Sequence, residues 1–321
     1  VDASRYLFSL NHSQPYSFEG YASAWLRYYY PLEFITVSLN INESKEEKTI
    51  ALTNYAKKVG IEIRPPRFRY SRAEYFCDQK DGCIYKGIGS IKFMNSQIAD
   101  ELYELRDEQF KDFIDVLRAV SQTSVNSRQL EILIKLNFFV EFGEINQLLK
   151  YVSLFDLIYG KKQFKKDKLA AMGVEEVDVR QFSTKETEKM FTGVDTYHLL
   201  KYLVRIAKYP ETSVIDEIRY QQELLGYINI RDGRYKGIGY VMSVDKKYAP
   251  KLKVYALANG NTIDCKIDKR TFNSHQLVVG DLIRIEGQDY KPQQRRTEEG
   301  TYEPIPGTRV LWLTKYKKVM L

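Results

Sequence analysis

The chain has 321 residues, 44% of them apolar: too long for one small module, and apolar enough for two or three domains with their own cores. Charges interrupt every apolar run before it reaches a membrane span. The opening VDASRYLFSLNHS has neither the basic start nor the apolar stretch of a signal peptide, so a cytoplasmic protein, or a fragment of a larger one, is expected. Lysine and arginine number 49 against 42 acidic residues, a net charge of +7, and with 25 tyrosines and 16 phenylalanines this suits a polyanion whose bases stack.

The first segment, YSFEGYASAWLRYYYPLEF, repeats Tyr21, Trp25 and Tyr28 at helical spacing until Pro31 stops or kinks the helix. Ser44 and Glu47 form a capping box before a second helix whose face is Leu52, Ala56 and Val59, with Gly60 at its C′ position. IEIRPP reads as a short strand. EYFCDQKDGCIYKGIG reads as a hairpin turning at Asp81-Gly82. Ile98, Leu102 and Leu105 then mark one side of a helix, and further helical patterns follow around Phe113–Val120, Asn126–Leu136 and Asn146–Tyr159. GKKQFKKDKL is a basic, solvated stretch, and residues 174–222 read as helical and connecting. The three cysteines (Cys77, Cys83, Cys265) and three histidines (His12, His198, His275) show no zinc spacing, so reduced thiols and no structural metal are expected.

From Tyr235 the period changes to two. GYVMSV, KLKVYALA, NTIDCKI, GDLIRIEG and RVLWLT give five short strands, with Asn259-Gly260 a strong hairpin turn and a long basic loop at Gln288–Thr308. This pattern predicts a small barrel of the oligonucleotide-binding (OB) type. The fold class expected is α+β and multidomain: mainly helical over the first two thirds, with a helix-hairpin-helix-like unit, then a five-stranded barrel.

Five stretches, in order, carry a resemblance. FSLNHSQPYSFEGYASAWLRYYYPLEF is similar to a segment of the bacterial replicative DNA polymerase III alpha subunit, with Phe8, His12, Ser13, Tyr16, Tyr21, Leu26, Tyr30, Pro31, Glu33 and Phe34 in register. GIEIRPP, YKGIGSIK, VNSRQLEILIKLNFF and QQELLGYIN resemble later motifs of the same family. The resemblance implies the end of a fingers domain over 1–70 and a helix-hairpin-helix domain for duplex and clamp binding over 71–150. A helical connector over 151–223 and an OB barrel over 224–321 complete it. No Asp-x-Asp pair and no histidine cluster occurs in the sequence, so the chain is expected to be inactive alone. It is also expected to need no cofactor, Mg2+ belonging to the family's palm domain. The expected partner is DNA, as single-stranded template and primer–template duplex. A non-catalytic replisome scaffold, or clamp tether, is the alternative.

Candidate site residues follow. Lys86, Gly87, Gly89, Lys92 and Asn95 form the hairpin that holds phosphate in the family. Here Phe93-Met94-Asn95 replaces its second glycine turn, leaving only Asn95 tolerant of positive φ. On the barrel, Lys246, Lys247, Lys251 and Lys253 would track a phosphate backbone while Tyr240, Tyr248 and Tyr255 stack on bases. Arg295 and Arg296 are further phosphate contacts in the long loop. His12 lies where the family faces the incoming nucleotide. Val152, Leu154 and Phe155 of YVSLF resemble the pentapeptide that hooks a sliding clamp, although Leu148, Leu149, Val152, Phe155 and Ile158 also fit a buried helix. YKGIG occurs twice, at 85–89 and 235–239, but the flanks differ: the first enters a helix, the second a strand. Each is read as a place where the backbone must bend or come close, not as a repeat.

Overall fold

The computed structural model describes residues 9–43, 45–247, 249–296 and 301–320, the side chains of 46 and 296 excepted. The chain divides into two compact units, Val1–Glu211 and Thr212–Leu321.

The first unit opens with α1 (Leu10–Tyr29), none of whose residues is buried. Pro31 starts α2 (Pro31–Ile41) at a first-turn position, where its missing N–H costs nothing. α3 (Glu46–Lys58) follows; Ser44 of the expected capping box lies outside the described residues, and Gly60 takes φ +80 as expected. β1 (Glu62–Arg64) runs parallel to β3 (Cys83–Tyr85), which also pairs antiparallel with β2 (Phe76–Asp78) across the Gly82 turn. Ile35 and Leu39 of α2, Ala56 of α3, Ile63 and Ile84 of the sheet and Tyr75 just before β2 form one core.

Next come α4 (Ser96–Glu104), α5 (Phe113–Val120), α6 (Ser127–Lys135) and α7 (Ile145–Ile158). Side chains cap all four: Asn95 for α4, Asp112 for α5, Asn126 in a capping box with Gln129 for α6, and Glu144 in a capping box with Gln147 for α7. Phe68, Phe113, Phe138 and Phe139 are buried together, with Phe138 and Phe139 edge to face at 4.8 Å.

The stretch read as solvated and helical holds an additional sheet. β4 (Gln163–Lys165), α8 (Lys166–Met172), α9 (Glu176–Gln181), β5 (Ser183–Glu186) and β6 (Met190–Val194) precede α10 (Thr196–Ile206), and the strands pair antiparallel in the order β4-β6-β5. Phe164 and Phe191 are buried cross-strand partners, while Glu186 ties the sheet's polar side to Arg180 and Lys166.

In the second unit α11 (Val214–Leu225) leads to a closed barrel of β7 (Ile238–Asp245), β8 (Lys251–Ala256), β9 (Asn261–Ile267), β10 (Leu282–Lys291) and β13 (Val310–Lys318), in the order β10-β13-β9-β8-β7. α12 (Lys269–Ser274) lies between β9 and β10; β11 (Gln294–Arg296) and β12 (Tyr302–Pro304) pair within the long loop. This is the expected OB barrel, with β13 parallel to β9 and β10 closing antiparallel on β7. Val241, Leu252, Val254, Cys265, Ile267, Ile283 and Leu313 fill it. Gly239 lets β7 press on β8, since a Cβ there would sit 2.3 Å from Val254 Cγ1. Among the described residues no helix is long and apolar enough to cross a membrane.

Candidate nucleic-acid interface

Alternation along β8 sends Leu252 and Val254 inward and leaves Lys251 and Lys253 exposed on the outer wall. Lys251 pairs across with Asp245 of β7 and Lys266 of β9; Lys253 pairs with Ser243 and Asp264. Lys266 in turn lies opposite Trp312 of β13, and Trp312 opposite Asp289 of β10. Trp312 is part-exposed, with Lys266 Nζ 5.8 Å and Lys291 Nζ 5.1 Å from its ring. Lys266, Lys291 and Trp312 escaped sequence reasoning, although the outward phase of Lys266 and Trp312 was readable from the alternation of NTIDCKI and RVLWLT. The second unit holds 19 lysines and arginines against 13 acidic residues, six of the chain's seven net positive charges.

Lys246 and Lys247 are exposed on the loop between β7 and β8, Lys246 Nζ lying 5.6 Å from the Phe272 ring. Tyr248 lies outside the described residues. Arg295 is exposed, 4.0 Å from Glu303; the side chain of Arg296 lies outside the described residues. His12 is exposed on α1.

Tyr240 and Tyr255 correct the expectation of exposed rings: they are 5% and 4% exposed. Both share a core with Val214 and Ile218 of α11 and Ile228. The Tyr240 hydroxyl donates to Gln222 Oε1 at 2.8 Å and that of Tyr255 to the Ile230 carbonyl at 3.0 Å. Burial pushes the Tyr255 phenol up to about 12. These rings hold α11 and its following segment against the barrel and have no free face for a base.

The first-unit hairpin also departs from expectation. Lys86 is buried, its Nζ donating to the Tyr75 hydroxyl at 3.1 Å, and desolvation pulls its pKa down to about 8. Gly87 and Gly89 serve close packing, since a Cβ at either would meet the Ala73 carbonyl oxygen at 2.5 or 2.9 Å. The N–H groups of Ile88 and Gly89 donate to Arg72 and Ala73 carbonyls instead of facing an anion. Asn95 is extended at φ −142, its Oδ1 accepting from the Ile98 N–H; the positive φ, +70, falls on Phe93. Lys92 is exposed beside that turn. At the α5–α6 turn a carboxylate of the chain already occupies the donors. Ser124 donates its N–H and hydroxyl to Glu101 Oε2 at 2.6 and 2.7 Å, which holds the Glu101 pKa below its ordinary range.

Val152, Leu154 and Phe155 are buried in α7, at 8%, 3% and 8% exposure, which corrects the clamp-peptide reading. A docking peptide must offer these side chains to a partner, and here they form the helix's packed face.

The capped helices of the first unit and the OB barrel with its cationic outer wall in the second make an α+β, two-unit architecture of the class expected from the sequence. Comparison with known proteins agrees: a helix-hairpin-helix motif family matches residues 60–148. The chain is similar to DNA polymerase III subunit alpha, being 30% identical to that of Campylobacter jejuni over 258 residues, 76% of this chain and 20% of the relative. It is 30% identical to the Ureaplasma parvum subunit over 146 residues, 45% and 15% of the two chains. Against the Escherichia coli K12 subunit it is 29% identical over 140 residues, 43% and 12%. The chain thus spans a fifth or less of these relatives, and the resemblance read from its motifs is borne out.

Proposed function

We propose that this chain serves DNA replication as a DNA-gripping portion of a polymerase like DNA polymerase III. In this reading the barrel holds single-stranded template, and the helical-hairpin module rests on primer–template duplex. The chain acts in the cytoplasm and needs no metal of its own; nucleotidyl transfer, with its Mg2+, belongs to a catalytic domain.

The observation that carries the reading is the outer wall of the barrel, where Lys251, Lys253, Lys266 and Lys291 project from three strands of a unit with most of the net charge. Cations on such a wall neutralise phosphates and release counterions, so affinity must fall with salt. Fluorescence anisotropy of the full chain with labelled oligothymidine at several salt concentrations tests this. Lys251→Ala with Lys253→Ala should weaken every sequence alike and flatten the log–log salt slope by about 1.4, two contacts' worth. Affinity indifferent to salt would overturn the reading.

A second reading has its own observation. α1 exposes Tyr16, Phe18, Tyr21, Trp25 and Tyr28 and buries nothing, a large apolar surface of the kind that docks on protein. A replisome scaffold would use this helix and show no salt-dependent DNA affinity.

A further inference from the structure

We infer that Trp312 is a stacking platform for one nucleobase of a single strand, with Lys266 and Lys291 placed to take the flanking phosphates. The inference rests on the reading of the barrel as a single-strand holder and gives that reading its aromatic contact. Leu311 and Leu313 point into the barrel, so Trp312 between them must point out. It stands mid-wall, opposite Lys266 on one side and Asp289 on the other, and keeps part of its indole in solvent. Among the described residues no aromatic ring stacks on it; its ring neighbours are the ammonium groups of Lys266 at 5.8 Å and Lys291 at 5.1 Å. Lys251, directly across from Lys266, extends the row of cations toward β7. The two tyrosines nearest in kind, Tyr240 and Tyr255, are sealed beneath the α11 segment.

The arrangement has the two parts that non-specific single-strand binding needs: charge for the backbone and a π-face for the base. A base that lands on the indole displaces an ammonium from the ring toward the phosphate that arrives with it, so the lysines keep a partner throughout. The Asp289 carboxylate repels phosphate from its own edge of the ring and directs the backbone to the lysines. Because every base has a π-face, the site discriminates little among sequences.

The chain has two tryptophans, so Trp25→Phe leaves Trp312 as sole indole reporter. The full chain carrying Trp25→Phe is titrated with oligothymidine while intrinsic emission and, in parallel, anisotropy of a labelled oligonucleotide are followed. The expected result is saturable quenching with the same midpoint as the anisotropy. Trp312→Leu should weaken binding about 5- to 150-fold, and Trp312→Phe much less. Binding by anisotropy with unchanged Trp312 emission overturns the platform and leaves the lysine wall standing. Absence of binding at every salt concentration overturns both. Should Trp312→Leu fail to fold, the emission of the unsubstituted ring still decides.

Discussion

The Phe93 ring lies under the Arg128 guanidinium, 3.8 Å from centroid to Cζ, while the Phe93 backbone sits at φ +70. Gln129 donates its side-chain amide to the Phe93 carbonyl at 2.8 Å and belongs to the α6 capping box. The turn that precedes α4 is therefore fastened to the start of α6. A left-handed conformation at a bulky residue costs roughly 1–2 kcal/mol, and the stacked cation returns roughly 0.5–1. The strain persists because two contacts from α6 hold the turn.

Phe93→Gly should consequently leave the first unit as stable as the parent or more stable by up to about 1 kcal/mol. Phe93→Ala should destabilise it, keeping the strain and losing the ring. Urea unfolding of the three proteins gives the order. A glycine variant less stable than the alanine variant would remove strain from the account.

Gly87 and Gly20 should respond oppositely to alanine. A Cβ at Gly87 would lie 2.5 Å from Ala73 O and Glu74 C, both backbone, so the segment must shift, at a cost of roughly 1–3 kcal/mol. Gly20 stands in α1 with nothing within 4 Å of the added carbon, and alanine should stabilise that helix by roughly 0.5–1 kcal/mol. Thermal denaturation and helicity of each variant check the pair.

Leu154→Ala with Phe155→Ala should unfold the helical part of the first unit. Both side chains are buried in α7, and losing two large apolar groups costs roughly 4–10 kcal/mol, comparable with the whole stability of a domain. Circular dichroism decides: a variant with native helicity and melting would return these residues to the surface.

Lys86 gives the first unit a dependence on pH. Burial lowers its pKa from 10.5 to about 8, so below pH 8 the folded state bears a buried ammonium that the unfolded chain keeps in water. Between pH 8 and 10.5 the unfolded chain holds a proton the folded one has released, and stability rises with pH, by up to about 3 kcal/mol. Tyr75, pushed up to about 12, reverses the trend once unfolded tyrosines ionise above about pH 10. Urea midpoints from pH 7.5 to 10 should climb in the parent and stay flatter in Lys86→Met. Equal slopes would show that Lys86 titrates normally.

The barrel was legible because its signals are local: Lys251–Val254 of β8 and Ile263–Ile267 of β9 alternate, and Asn259-Gly260 turns with Gly260 at φ +69. The additional sheet was not, because β4 to β6 are three to five residues long and STKE has no apolar phase; their pairing depends on Phe164 meeting Phe191 across the chain. The tyrosines show a different limit. Tyr255 shares the phase of Lys251 and Lys253, so alternation alone places it on the outer wall. What buries it is α11 and the segment to Ile230 lying over that end of the wall, which no strand pattern announces. At the hairpin, the lost glycine turn was readable, yet which residue takes the positive φ was not. Asn95 was the tolerant choice by side chain, but its oxygen is committed to capping α4, and Phe93 takes the turn instead.

Tyr255 is thus a residue of stability, and its variants should separate that role from binding. Tyr255→Phe removes the hydroxyl that donates to the Ile230 carbonyl and leaves the ring in place, which should cost the second unit about 1 kcal/mol. Tyr255→Ala removes a ring 4% exposed, between α11 and the barrel, and should cost roughly 3–5 kcal/mol. Oligonucleotide affinity of the folded Tyr255→Phe protein should match the parent at every salt concentration, because the lysines of β8 and Trp312 are untouched. Loss of affinity in Tyr255→Phe with unchanged urea stability would place the ring on a base after all, with the α11 segment lifting away when nucleic acid binds.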